Sequence, residues 1–247
     1  MSVDARFDLQ QAIVENQLVL HYQPIVAVGD RRLVAVEALV RWRHPSRGIL
    51  PPSQFVPAIE RAGLARELTL WVLREAILQA AVWKRDREPI SVGVNLSPEN
   101  LRDSLFRRFL DITLRAVGSP ELLIAELPAA TLTSPEQLES LSLMRAKGIR
   151  VAIDDVVVPV ALADVPADVV KLGRGLVQRL PTDARALDEA TAIVRAAKQA
   201  GRSVTGVGIE EDLSWRRVVA LGCDAAQGYH VAQPMSTSDL DDWRRKH

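Results

Sequence analysis

Residues 152–160 read AIDDVVVPV, two adjacent carboxylates closing an apolar run and followed by three valines and a proline. Paired acids at a strand end suit a metal ion or a proton transfer, whereas consecutive valines belong inside a protein. Other polar groups stand at comparable points. Glu37 and Arg41 lie in RLVAVEALVRW, Asn95 ends ISVGVN, and Glu126 falls near the end of LLIAEL. Lys171 comes late in ADVVKL and Gln227 lies in AAQGYH. Carboxylate and amide oxygens suit hard cations such as Mg²⁺, Mn²⁺ or Ca²⁺ rather than zinc. Without a counter-charge such carboxylates repel one another. Arg41 follows Glu37 by four residues, so on a strand both share one face. An arginine fork beside acid-bound metal matches a phosphate diester. His21, His44, His230 and His247 show no zinc-type spacing, and no serine or cysteine sits in a nucleophile-elbow pattern. Taken singly, each of these acids reads as a solvated or capping residue; only their recurrence at several strand ends argues for a site.

The elements that would carry these groups follow from periodicity. LVLHYQPIVA (18–27) and RLVAVEALVRW (32–42) alternate as strands around the turn VGDR, which predicts a hairpin. FDLQQAIVEN (7–16), PSQFVPAIERAG (52–63) and the segment 65–86 predict helices. The chain then alternates. Strands are expected at 90–95, 122–127, 149–154, 167–172, 203–207 and 225–230, with helices between them. Ser97-Pro98 opens one helix, and Ser134 and Gln137 stand at capping-box spacing for another. This alternation predicts an α/β fold, a (β/α)8 TIM-like barrel whose hairpin-like start replaces the first crossover. An open doubly wound sheet would carry a Gly-rich phosphate loop after its first strand, and none is present. In a barrel the strand ends converge on one face. The expected organisation is one domain over 1–247, with its core at about 7–240.

The chain has 247 residues, 48% hydrophobic and 25% charged, the profile of an ordinary globular protein. Lys+Arg and Asp+Glu both number 31, so no net charge recruits nucleic acid or an anionic membrane, and an anion site must be local. Cys223 is the single cysteine, which excludes an intrachain disulfide and fits a reducing, cytoplasmic compartment. The start MSVDARFDLQ lacks a signal-peptide h-region, and Arg74 and Glu75 interrupt the most apolar helix, which argues against a membrane span.

The ordered motifs YQPIV, EALVRWRHP, VNLSPENL, AIDD, VVKL and ALGCDAAQGY resemble those of the EAL-domain family over nearly the whole chain, with Glu37-Ala38-Leu39 as the eponymous tripeptide. The resemblance implies a barrel that hydrolyses cyclic di-GMP to pGpG with Mg²⁺ or Mn²⁺, or that binds the dinucleotide without cutting it, or that binds only protein partners. It implies metal ligation by Glu37, Asn95, Glu126 and Asp154, with Asp155 beside a second metal position. Lys171 would contact the attacked phosphate or its water, Arg41 would grip a phosphate, and Leu39 would line the nucleotide pocket. Gln23 and Gln227 would be polar members of that site.

Departures from the pattern carry as much information. Ala129 stands where the family has a loop-anchoring Glu, and Val207 where it has a general-base and metal-linked Glu. The loop usually written DDFGTGYSSL reads DDVVVPVALA, without its glycines, and the stretch from Asp155 to Lys171 is shorter by about one helical turn. Gly173 replaces the usual Asp. The first expectation is therefore a degenerate domain that receives cyclic di-GMP with little or no hydrolysis. A slow Mg/Mn-dependent phosphodiesterase comes second, since losing a general base costs about 10²–10⁴-fold and need not reach zero. A protein-interaction module is third, with the 156–164 loop as its contact. For the valines themselves, burial on the barrel rim is expected ahead of a partner patch.

Overall fold

A computed structural model describes residues 5–86, 89–132, 134–158 and 164–246. Its strands are β1 (Leu18–Ala27), β2 (Leu33–His44), β3 (Gly48–Leu50), β4 (Val92–Asn95), β5 (Leu123–Pro128), β6 (Arg150–Val156), β7 (Val169–Leu172), β8 (Ser203–Val207) and β9 (Ala225–Gln227). They form one sheet in the order β1-β9-β8-β7-β6-β5-β4-β2-β3, and an additional β1–β2 pairing closes it into a barrel. β3 pairs only with the far end of β2 and stands outside the ring. The ring itself is the expected eight-stranded (β/α) barrel. β1 runs antiparallel to both its neighbours and the remaining contacts around the ring are parallel. The hairpin start is thus real. Because β1 is reversed, it presents its N-terminal half to the face where the other strands present their C-terminal ends.

Local chemistry sets the helix starts. The Ser97 N–H donates to Asn100 Oδ1 at 2.8 Å, and the Ser134 N–H donates to Gln137 Oε1 at 3.0 Å, which caps the helices Pro98–Arg102 and Pro135–Ala146. The long helix Ala65–Arg85 buries one stripe, including Leu68, Val72, Leu73, Ala76 and Trp83, against the barrel wall. β3 and the C-terminal helix Thr237–Arg244 lie beyond the elements that periodicity alone indicates. β3 is three residues long, too short for alternation to register, and the helix is strongly polar. Among the described residues no helix is long and apolar enough to cross a membrane.

The core divides in two. One large cluster lies between strands and helices. A small second cluster, Ile25, Ala35, Ile124, Ala152, Val169 and Ala225, lines the lower lumen of the barrel. Side chains two residues apart on a strand share a face. The lumen face that carries this second cluster therefore also carries, one layer higher, Gln23, Glu37, Glu126, Asp154, Lys171, Thr205 and Gln227.

Candidate functional site

Lys171 is the centre of that upper layer. It is buried on β7, and its Nζ donates to Glu126 Oε2 at 2.5 Å and to Glu37 Oε2 at 3.2 Å, with Asp154 Oδ2 at 3.8 Å. Glu37 has further donors. Asn95 Nδ2 reaches its Oε1 at 2.7 Å, and Gln227 Nε2 reaches its Oε2 at 2.7 Å. Gln227 Nε2 also reaches Gln23 Oε1 at 3.1 Å, and Gln23 Nε2 donates to the Ala232 carbonyl at 3.1 Å. Glu37, Asn95, Glu126, Asp154, Lys171, Gln23 and Gln227 thus meet in one mouth, delivered by seven different strands.

The two buried glutamates differ in protonation because their partners differ. Burial alone would raise both. For Glu37 the ammonium of Lys171 and the amides of Gln227 and Asn95 outweigh that cost, so its carboxyl is held below the usual range. Glu126 has Lys171 as its one strong donor and faces Glu37 and Asp154, so burial wins and its pKa is pushed up to about 8. Burial, against the pull of Lys171, also raises Asp154, and Glu37 adds to it. For Lys171 the three carboxylates overcome burial and hold the ammonium more firmly than usual.

Room for this layer comes from a residue that the sequence reading did not single out. A Cβ at Gly93, on β4, would collide with Glu126 Oε1 and stand 2.9 Å from Glu126 Cδ. The glutamate lies across the strand where a side chain would otherwise be. The signal was present in SVGVN, since a glycine inside a strand commonly marks a close approach. Below the layer, a cavity of about 220 Å³ separates Glu126 and Lys171 from the N-terminal end of the barrel.

Arg41 lies four residues beyond Glu37 and is half-buried. Its Nη1 donates to the Val40 carbonyl at 2.9 Å, and among the described residues it makes no salt bridge to a carboxylate. Leu39 and Asn95 help line an adjacent cleft of about 400 Å³ that also includes Pro52, Val56 and Thr131.

Asp155 does not join the cluster. β6 and β7 lose register between Ile153 and Val156, and Asp155 takes a left-handed φ of 51° within that irregularity. Its N–H donates to Asp154 Oδ1 at 2.8 Å. Its own carboxylate hangs over Gly173, where an added Cβ would meet Asp155 Oδ1 and come within 2.8 Å of Val157 Cγ1. Val156 is buried, whereas Val157 and Val158 are exposed, so the expected burial of the valines holds only for the first. β6 runs through Val156, and the next residues rise off the rim. Residues 159–163 of the 156–164 loop lie outside the described residues. Val207 ends β8 opposite Gln227, half-buried, and offers only methyl groups. Ala129 begins a tight turn after β5 and packs against the core.

The oxygen-rich set Glu37, Asn95, Glu126 and Asp154 has the donor chemistry of a hard dication site, and the buried Gln227 Oε1 has no hydrogen-bond partner among the described residues. The ammonium of Lys171 stands among these carboxylates, and among the described residues no three His, Cys, Asp or Glu side chains are grouped so as to hold an ion. The chemistry of the set fits a metal, and Lys171 already provides part of its counter-charge.

Comparison with known proteins agrees with the barrel fold. The EAL domain model matches residues 6–234. A cyclic di-GMP phosphodiesterase of Pseudomonas aeruginosa is 33% identical over 249 residues, covering 96% of this chain and 42% of its own length. An uncharacterized signaling protein of Caulobacter vibrioides is 35% identical, covering 96% of this chain and 30% of its own. The chain therefore spans less than half the length of these relatives. The structure of the P. aeruginosa MucR phosphodiesterase in complex with cyclic di-GMP superposes with a TM-score of 0.90 at 30% identity, covering 96% of this chain and all of that one. The Xanthomonas citri FimX EAL domain, also solved with cyclic di-GMP, shares the fold at a TM-score of 0.87 and 21% identity, covering 94% of this chain and 93% of that one. The chain belongs to the EAL-domain family.

Proposed function

We propose that this chain acts as a single barrel domain that binds cyclic di-GMP as a receptor and hydrolyses it little or not at all. The observation that carries the reading is Val207. At the end of β8, opposite Gln227, the position assigned to a general base offers neither a proton acceptor nor a metal ligand. Binding is supported by the groups that remain. Arg41 makes no salt bridge to a carboxylate among the described residues, and its fork is suited to a phosphate. The cleft beside Leu39 offers an apolar wall to a base. Lys171, fully protonated and held by three carboxylates, would offer positive charge to a phosphate or its water.

Glu37, Asn95, Glu126 and Asp154 would hold Mg²⁺ or Mn²⁺, which when bound supplies charge neutralisation and water activation. Gln23 and Gln227 fix the orientation of Glu37. Asp155, turned over Gly173, is not presented to the mouth. A second reading, a slow phosphodiesterase, is favoured by the intact network around Lys171. The protein-interaction reading draws on exposed Val157 and Val158.

The test is calorimetric titration with cyclic di-GMP, with and without Mg²⁺ or Mn²⁺, followed by analysis of the same sample for pGpG. Binding with little product is expected. Val207→Glu combined with Ala129→Glu should raise product formation more than either change alone. Turnover by the unmutated chain at about 1 s⁻¹ or faster, an ordinary enzyme rate, would replace the receptor by a competent phosphodiesterase.

A further inference from the structure

We propose that the ring of Tyr229 is a stacking platform for a purine base of the bound nucleotide, working beside Arg41 at the barrel mouth; this rests on the nucleotide-binding reading above. Tyr229 is 57% exposed, and it directly follows Gln227 and Gly228 at the end of β9. Gln227 is one of the buried residues tied to Glu37, so the ring stands two residues from the polar layer.

A solitary exposed tyrosine is ordinary on a protein surface. This one differs in its support. The Ile209 N–H donates to the Gln227 carbonyl at 3.1 Å, and the His230 N–H donates to the Ile209 carbonyl at 3.0 Å, so the backbone is fixed on both sides of Tyr229. The N–H groups of Val231 and Ala232 both donate to the Gly228 carbonyl at 3.0 Å. Gly228 is pressed so closely on Ile209 that an added Cβ would collide with its carbonyl oxygen and lie 2.7 Å from its carbonyl carbon. No other residue fits that turn. The tyrosine is thus presented on a backbone that loses little freedom when a ligand arrives, which is the condition under which an aromatic face contributes most to binding.

The neighbouring groups complete the argument. Tyr229 and Glu37 both lie within electrostatic reach of Arg41, whose guanidinium makes no salt bridge to a carboxylate among the described residues. Aromatic pairs elsewhere, such as Tyr22 with Trp83 and Trp42 with Phe55, occupy their rings within the fold. The ring of Tyr229 makes no such pair among the described residues. A cation near an exposed aromatic side chain matches a ligand that carries both a phosphate and a flat base, as a purine nucleotide does.

The experiment compares Tyr229→Ala and Tyr229→Phe with the unmutated chain by titration with cyclic di-GMP. Loss of a stacked base should weaken binding about five- to a hundredfold in the alanine variant. Phenylalanine keeps the π face and should stay within about twofold. Thermal midpoints should coincide, because the side chain is exposed. Binding is then followed by NMR with GMP and with ribose 5-phosphate, which has no purine; Tyr229→Ala should weaken the first and leave the second. Unchanged cyclic di-GMP affinity in Tyr229→Ala, beside clear binding by the unmutated chain, would overturn the stacking role alone. Equal losses for GMP and ribose 5-phosphate would overturn it as well, by assigning the effect to the phosphate grip. Absence of cyclic di-GMP binding by the unmutated chain would remove the nucleotide reading and the platform with it.

Discussion

The two sides of the barrel mouth have diverged in different ways. On one side, β1, β2, β4, β5 and β9 hold Gln23, Glu37, Asn95, Glu126 and Gln227 in a continuous hydrogen-bonded layer around Lys171. On the other, where β6, β7 and β8 end, the backbone slips register, Asp155 folds over Gly173, and Val207 ends β8 with only methyl groups. The difference follows from where the side chains are rooted. A group inside a strand of the ring has its direction fixed by neighbours on both sides. A group at a register shift or at the last paired residue of its strand has fewer such neighbours and depends on the loop that follows. The strand-borne layer is also part of the folded core, because removing one member strands the others as buried charges.

The largest effect should come from breaking that layer at its centre. Lys171→Met leaves Glu37 and Asp154 without their shared cation and Glu126 without its hydrogen-bond donor. Removing one partner of a buried ion pair costs about 3–5 kcal/mol, so denaturant unfolding should show a loss of that order. A loss below about 1 kcal/mol, the range of an exposed pair, would mean that the layer does not hold the barrel together and that the contrast between the two sides is false. Because Lys171 already compensates these acids, Mg²⁺ or Mn²⁺ should stabilise Lys171→Met relative to NaCl of equal ionic strength more than it stabilises the unmutated chain.

A second effect concerns pH. Glu126 has a folded pKa of about 8, above the ordinary value of 4.5. The folded chain then holds a proton that the unfolded chain releases, so this residue favours folding below about pH 4.5, and the benefit is lost as pH rises through about 8. Glu126→Gln should remove that dependence, matching the unmutated chain near the low end and exceeding its thermal stability above the high end in buffers containing EDTA. A glutamine variant that is weaker by the same amount at every pH would show that Glu126 is ionised and held by Lys171 throughout.

Arg41 stands at the rim, where the two sides share the ligand. Its loss should weaken cyclic di-GMP binding about ten- to a hundredfold, since a charge-assisted hydrogen bond contributes about 1.5–3 kcal/mol. Stability should change little in Arg41→Ala, because among the described residues its one side-chain hydrogen bond goes to the carbonyl of the preceding residue. Affinity that survives Arg41→Ala would move the phosphate grip to Lys171 and place the whole site within the strand-borne layer.

Much of this was legible in the sequence, and the boundary is physical. Alternation of types placed the lumen residues, because period two decides which side chains face inward whatever their partners. The capping signals at Ser97 and Ser134 were readable for the same reason: they act within four residues. What escaped was contact across elements. Nothing local to Gly93 says that Glu126 will lie over it, although glycine within a strand run invites the question. Gly173 and Asp155 stand eighteen positions apart, and in the sequence one reads as a departure from the family pattern and the other as a match to it. The structure joins them, since the carboxylate of the first aspartate's neighbour occupies the space that any side chain at 173 would need. The valines were likewise judged as a group, whereas the end of β6 divides Val156 from Val157 and Val158.

That pairing gives the smallest of the expected effects and the sharpest test of the remodelled side. Gly173→Ala adds a Cβ beneath Asp155 Oδ1 and 2.8 Å from Val157 Cγ1. Both obstacles belong to exposed residues of the rim, so the chain can give way there, and the cost should lie at the low end of the 1–3 kcal/mol typical of overpacking. If Asp155 and Val157 are the obstacles, trimming them must relieve the cost. In an Asp155→Gly, Val157→Ala background, Gly173→Ala should therefore be nearly neutral, and a thermodynamic cycle should report a coupling of about 0.5–1 kcal/mol. The glycine at 155 also accepts the left-handed φ of 51° that an aspartate holds there, so the background is not itself strained. Equal costs in both backgrounds would show that the two positions do not touch. The turned-over Asp155 and the glycine at 173 would then be independent, and this side of the mouth would be a set of separate changes instead of one coordinated rearrangement.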